Sequence, residues 1–286
     1  MKTRSRLGQN FLVDAGAATR IVSALGDLTG RTVIEIGPGR GAITGALATR
    51  AGHVLAVELD RELARRLREK YPSDRVSVVE QDVLNYDFAA AASQFSAACG
   101  STGRLRVVGN LPYYITSPIL LKLAANHAVL DLAVLMVQRE VADRVAAEPG
   151  SRDYGLLSVT VQMYGSVERL FTLPPSAFSP PPEVHSTVFR WRFAPRFDQL
   201  RVEESGFLAF LRSAFAQKRK TLVNNLRAAG VSPGTAMAAL GAASVSPTAR
   251  AEALPLEALA ALWRFLLAKN AGEKSSGHSE NPSDPP

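Results

Sequence analysis

The ten residues Thr32-Val-Ile-Glu-Ile-Gly-Pro-Gly-Arg-Gly41 constrain this chain more than any other segment. A short apolar, β-branched run that ends abruptly in glycines reads as a buried strand feeding a tight turn. Residues 42–50 then suit a helix, so the unit is strand, glycine turn, helix. A strand buried on both faces needs helices above and below it, which is the signature of a parallel α/β sheet. The rest of the first half repeats the alternation. Strands are predicted at 54–59, 76–80, 105–109 and 132–137, and helices at 61–70, 117–125 and 140–147. Residues 154–164 are ambiguous, because they are rich in β-branched residues while Leu156, Val159 and Met163 also keep helical spacing. Two antiparallel strands are predicted at 167–171 and 186–191, joined by a stiff proline-rich connection.

From about Asp198 the pattern becomes purely helical. The fold class expected is α/β, a Rossmann-like sheet domain over residues 1–196, with a small all-α domain over 197–269 and a disordered Ser/Glu/Pro-rich tail over 270–286. Phe207, Phe210, Leu211, Ala214 and Phe215 share one helical face, and Lys218 would fall on the same stripe. The helix must therefore stop or kink near 216–219, which puts a basic cluster at a turn.

Charge distribution narrows the partners. The net charge is +7, and residues 205–230 contain no acid while carrying Arg212, Lys218, Arg219, Lys220 and Arg227. Lys2, Arg4 and Arg6 form a second cluster. Lys218, Arg219 and Lys220, and more weakly Arg4 and Arg6, are the candidate contacts to a phosphate backbone. No apolar run reaches the ~18 residues of a membrane span. The first residues lack the apolar core of a secretory signal. Cys99 is the single cysteine, which excludes an internal disulfide and fits a reducing, cytoplasmic compartment. His53, His127, His185 and His278 are scattered without ligand spacing, so no metal is expected, nor a membrane partner. Asp14, Asp87 and Asp131 read as helix caps or solvated loop residues.

The chemistry is carried at strand ends. Gly37, Gly39 and Gly41 have G-x-G-x-G spacing, unlike the dinucleotide fingerprint, and suit a nucleoside amino-acid cofactor better than a pyrophosphate. Glu58 closes the second strand, where doubly wound folds place a carboxylate against ribose hydroxyls. Asp82 follows the third strand and can accept an adenine amine. Asn110-Leu-Pro-Tyr113 follows the fourth. The Asn110 side-chain oxygen and the Leu111 carbonyl can accept the two N–H groups of an exocyclic adenine amine and aim its lone pair. Pro112 stiffens the backbone, and Tyr113 offers a π face to a flipped base.

Five motifs in one order, Gly8-Gln-Asn-Phe-Leu12, Glu35–Gly41, Asn110–Ile115, Phe178-Ser-Pro-Pro-Pro-Glu-Val-His-Ser186 and Ala216-Gln-Lys-Arg-Lys-Thr-Leu-Val-Asn-Asn-Leu226, closely resemble those of the ribosomal small-subunit RNA adenine dimethyltransferases, the KsgA/RsmA family. The resemblance runs from about residue 5 to 268. It implies S-adenosyl-L-methionine as cofactor. The implied substrate is 16S rRNA in the immature small subunit, dimethylated at N6 of two adjacent adenosines in the hairpin near its 3′ end. A role in small-subunit biogenesis, as a monomer, goes with it. By the same resemblance Asn10 and Leu12 contact the cofactor with Gly37, Gly39, Glu58, Asp82 and Asn110, and Phe178 faces Tyr113 across the base. Lys218 stands where many members have arginine, with charge retained. A 23S rRNA methyltransferase of the erythromycin-resistance type is disfavoured by the Tyr113–Pro118 run and the long helical end. A mitochondrial relative is disfavoured because the Gly8 motif starts too near Met1 for a transit peptide. An assembly factor without turnover gives no reason for the Asn110 motif, and an oxidoreductase does not match the glycine spacing.

Overall fold

The computed structural model describes residues 10–95 and 103–276, with side chains through residue 269. Lys2, Arg4, Arg6, Gly8, Gln9, Cys99 and His278 lie outside the described residues. In chain order the elements are β1 (Phe11–Leu12), α1 (Ala15–Ala24), β2 (Thr32–Ile36), α2 (Ala42–Ala48), β3 (His53–Glu58), α3 (Arg61–Lys70) and β4 (Val76–Glu80). Then come α4 (Phe88–Gln94), β5 (Leu105–Asn110), α5 (Thr116–Ala125), β6 (Leu130–Gln138), α6 (Arg139–Val145) and α7 (Leu156–Met163). The remainder is β7 (Gly165–Leu173), β8 (Phe178–Ser179), β9 (Ser186–Phe193), α8 (Phe197–Leu200), α9 (Glu204–Ala214), α10 (Leu222–Ala228), α11 (Pro233–Ala242) and α12 (Leu256–Ser276).

Among the described residues the main sheet has seven strands in the order β4-β3-β2-β5-β6-β9-β7. The pairs from β4 to β6 are parallel, and β9 joins β6 and β7 antiparallel. All five residues of β2 are buried, as a strand covered on both faces requires. The strand order reverses between β2 and β5, the point where open α/β sheets leave a crevice at their carboxyl edge. β2 and β5 approach closely there because Gly109 has no side chain. A Cβ on Gly109 would lie 2.8 Å from Ile36 O. β1 and β8 form a separate two-stranded ribbon in which Leu12 is paired with Phe178.

The chain divides into two compact units, residues 1–146 with 164–194, and residues 147–163 with 195–286. This differs from the continuous first domain of 1–196 expected from sequence, because residues 147–163 group with the helices of the second unit. The ambiguous segment 154–164 is helical at α7. Ser158, Val159, Thr160, Val161 and Met163 are buried there, so burial overrides the β preference of its branched residues. Tyr154 Oη donates to Leu254 O (3.2 Å) and Gly150 N to Glu252 O (2.7 Å) within this unit. The expected disordered tail is corrected at its start, since α12 continues through Ser276; residues 277–286 lie outside the described residues.

Helix ends follow local chemistry. Asp14 and Asp87 cap α1 and α4 through Ala17 N and Ala90 N (both 2.9 Å). Asp131 is neither a cap nor a loop residue; it lies in β6 and pairs with Arg106 at 3.3 Å. α9 ends at Ala214, as the misplaced Lys218 demanded. The turn that follows is closed by Asn225, 3 % exposed, whose Nδ2 donates to Ala214 O (2.7 Å) and Gln217 O (3.3 Å).

Gly109→Ala should cost about 1–3 kcal/mol in urea denaturation, as an overpacked core site does, with Gly234→Ala, where an added Cβ meets nothing within 4 Å, as a remote control. Asn225→Ala should cost about 1–3 kcal/mol by unpairing the buried Ala214 carbonyl.

Candidate active site

One cavity gathers most of the strand-end residues singled out from sequence. It encloses about 1020 Å³ of empty space, counting its solvent-open mouth. Its lining includes Asn10, the β1 residues Phe11 and Leu12 that follow it, the Glu35–Arg40 turn, Glu58, Asp82 and Asn110–Ile115. Parallel register explains this assembly. β3, β2 and β5 all run toward the same edge, so the residues that end them arrive side by side.

The glycine turn is held from behind by Glu58. Glu58 is 3 % exposed, and its Oε2 accepts from Gly39 N (2.9 Å) while Oε1 accepts from Asp60 N (2.9 Å). Gly39 sits at φ +59°, and a Cβ there would meet the Phe11 ring at 2.9 Å. Burial pushes the Glu58 carboxyl up from its usual range, and its backbone hydrogen bonds oppose that shift. Each carboxylate oxygen keeps a second lone pair for a sugar hydroxyl. Asp82 Oδ1 accepts from Leu84 N (2.9 Å), which leaves Oδ2 to face a ligand.

Glu35 was not singled out by residue type, because inside a buried strand its carboxyl reads as part of the glycine motif. It is 1 % exposed, lines the cavity and accepts from Thr44 Oγ1 at 2.6 Å. Burial pushes its carboxyl up to about 8, with Glu58 adding to the rise and Thr44 opposing it. Phe11, Leu59 and Tyr114 also line the cavity without having been assigned from sequence, and Leu59 and Tyr114 are exposed. An aromatic next to Tyr113 was the available signal for Tyr114.

The Asn110–Tyr113 segment is pinned at each residue. Asn110 Nδ2 donates to Asn10 O (3.0 Å), Leu111 N to Met136 O (3.0 Å), and Thr116 Oγ1 to Pro112 O (3.0 Å). The Tyr113 hydroxyl shares a hydrogen bond with Ser186 Oγ at 2.9 Å. The Asn10 contact assigns the carboxamide, because a carbonyl oxygen can only accept. Asn110 Oδ1 is therefore the free acceptor, the atom an amine needs. Phe178 is not brought to the cavity lining. It is 3 % exposed and belongs to the same hydrophobic cluster as its cross-strand partner Leu12, so it backs the cavity wall.

In the second unit Lys218, Arg219 and Lys220 are exposed on the turn after α9. Lys218 Nζ donates to Arg152 O (2.8 Å), which ties this head group to its own unit. Among the described residues no group of three or more His, Cys, Asp or Glu is placed to hold a metal. No described helix is long and apolar enough to cross a membrane.

The doubly wound sheet, the glycine turn and the acids at successive strand ends define an S-adenosylmethionine-dependent methyltransferase. The donor set fits that cofactor: Glu58 and Asp82 bring acceptors that ribose hydroxyls and an adenine amine would use, and Glu35 lines the same cavity. A model of the family described as ribosomal RNA adenine dimethylase matches residues 1–266, and the chain belongs to that family. It is 59% identical over 266 residues to ribosomal RNA small subunit methyltransferase A of Acidobacterium capsulatum, covering 93% of this chain and 92% of that one. It is 50% identical to the protein of that name from Koribacter versatilis, over 92% and 94% of the two chains. Among solved structures, the 23S rRNA methyltransferase ErmE is 26% identical with a TM-score of 0.66, over 90% of this chain and 99% of that one. A dimethyladenosine transferase from Plasmodium falciparum, 23% identical with a TM-score of 0.72 over 92% and 98% of the chains, shares the fold.

The raised Glu35 carboxyl has a consequence for stability. The folded, cofactor-free protein holds a proton that the unfolded chain releases near its ordinary value of 4.5. Stability should therefore fall as pH rises from about 5 to about 8, by at most ~1.4 kcal/mol per pH unit for this group. Urea denaturation across that range should show the decline, and Glu35→Gln should flatten it.

Proposed function

We propose that this protein transfers methyl groups from S-adenosylmethionine to N6 of two adjacent adenosines in the hairpin near the 3′ end of 16S rRNA. On this reading it acts as a cytoplasmic monomer, without a metal, on the immature small subunit, and serves that subunit's biogenesis. The relatives at 59% and 50% identity are named for the small subunit, which supports that choice over the 23S target named for the more distant ErmE. The observation that carries the chemistry is the Asn110 carboxamide, whose Nδ2 donates to Asn10 O and so leaves its oxygen to serve as acceptor.

An adenine amine is a poor nucleophile because its lone pair is delocalised into the ring. Asn110 Oδ1 and the Leu111 carbonyl accept its two N–H groups and draw the nitrogen toward tetrahedral geometry. Leu111, buried and tied to Met136 O, keeps that second acceptor in place. Tyr113, anchored through Ser186, gives the base a fixed face to stack upon. The cofactor, when bound, supplies an electrophilic methyl on a sulfonium. The methylated nitrogen is acidic and loses its proton to water, so no side chain has to act as base. The same two acceptors serve the second transfer with one N–H fewer to hold. Asn10 and Leu12 would border the cofactor with Gly37, Gly39, Glu58 and Asp82. Phe178, paired with Leu12 and in the same hydrophobic cluster, would support that wall of the cavity, and would stack on the base only by leaving this place.

Arg219 and Lys220 in the second unit would hold RNA phosphates, with Lys218 contributing less because of its bond to Arg152 O. Arg4 and Arg6 would add to the basic surface.

Asn110→Ala should lower methyl transfer to unmodified small subunits by about 10²–10³-fold, the loss typical of one positioned hydrogen-bonding group, while cofactor affinity changes only a few-fold. Transfer of labelled methyl groups to purified small and large subunits checks this; label in the large subunit alone would overturn the substrate. Arg219→Ala with Lys220→Ala should flatten the salt dependence of subunit binding, and more so than Lys218→Ala.

A further inference from the structure

Beside the cofactor cavity lies a second cleft, lined by Gly39, Arg40, Leu63, Arg66, Leu67 and Lys70. Four of these come from α3 at positions i, i+3, i+4 and i+7, one stripe of the helix. The stripe alternates leucine with a cation, so apolar side chains form the floor and charged ones the rim. Arg40 comes from the glycine turn to complete the rim. Other cations of α3 are paired: Arg65 with Glu62 (2.8 Å) and Glu69 on the same helix, and Arg68 with Glu80 of β4 (3.7 Å). Within the cleft Arg66 reaches Glu62 (2.8 Å), an acid already shared with Arg65. Among the described residues Arg40 and Lys70 have no carboxylate partner. The Arg40 guanidinium lies 4.3 Å from the Phe11 ring centroid and Lys70 Nζ 5.1 Å from that of Tyr71. These rings orient both cations and leave their charge unneutralised.

We propose that this cleft binds a backbone phosphate of the substrate RNA strand. The inference rests on the functional reading above. Three cations facing one concavity around a single shared acid repel one another, and an anion relieves that repulsion. Gly39 and Arg40 line both this cleft and the cofactor cavity, so a phosphate held here lies on the border of that cavity. The cleft has no carboxylate or carboxamide side chain in its lining to read a base or a sugar, so it takes charge and shape rather than sequence. It would anchor the strand on the first unit, independently of the basic turn on the second.

The test uses the full-length protein with Arg66→Gln and Lys70→Gln combined, because neither residue lines the cofactor cavity. Binding to small subunits lacking the modification is measured from low to moderate salt, and cofactor affinity by calorimetry. The double variant should bind subunits about 5–20-fold more weakly, and the slope of log K against log salt should fall by about 0.7–1, the loss of one phosphate contact. Cofactor affinity should stay within twofold, and Arg66→Lys with Lys70→Arg should restore the slope. An unchanged slope, with wild type methylating the small subunit normally, overturns this inference alone. A large loss of cofactor affinity also overturns it, by giving the cleft to the cofactor's carboxylate. Wild type that methylates no small-subunit adenosine overturns both readings.

Discussion

The parallel pairing of β2 with β5 is the contact on which the active site depends. Ile36 lies opposite Gly109, so the glycine turn that follows one strand and the Asn110 motif that follows the other emerge at the same edge. The missing side chain at Gly109 is what permits that approach, since an added Cβ would sit 2.8 Å from Ile36 O. Had the register slipped by a single residue, the acceptor pair and the cofactor turn would no longer share a cavity, and every outward side chain of β5 would change face. A transfer reaction that depends on alignment tolerates little of this, because displacements near 1 Å cost it heavily. The burial of β2 on both faces supplies the rigidity.

Electrostatics at this edge is organised around two acids with different tasks. Glu58 spends one lone pair of each oxygen on the backbone of its own surroundings, and so shapes the turn before any ligand arrives. Glu35 spends one oxygen on Thr44 and is held neutral by burial. This edge of the sheet thus carries less negative charge than its residue types suggest.

Much of this was legible in the sequence because the informative signals were local. A strand ending in glycines, an acid at the next strand end, and Asn-Leu-Pro-Tyr at a later one each carry their meaning within a few residues. Helix termination before Lys218 was legible for the same reason, as a conflict between spacing and charge. What stayed hidden depends on long-range contact. The bond from Asn110 to Asn10 spans 100 residues and decides which way the carboxamide points. Asp131 reads as a solvated acid until Arg106 is seen beside it. The helical state of α7 and its grouping with the second unit follow from burial on several sides, which a run of branched residues does not announce.

Phe178 shows how long-range pairing gives a motif residue packing neighbours that its own segment does not announce. Its position in a proline-rich loop with a resemblance to known enzymes suggests a ring exposed to substrate. Antiparallel pairing with β1 instead turns it into the hydrophobic cluster beneath Leu12. Because Leu12 lines the cavity, a smaller side chain at 178 would loosen that wall, and its effect would first appear in cofactor binding. A ring that stacked on the base would instead affect the transfer rate and the affinity for RNA while leaving cofactor affinity alone. The two roles therefore separate experimentally: Phe178→Leu keeps most of the buried volume but removes the π face, so retained methyl transfer by that variant argues for support and its collapse argues for stacking.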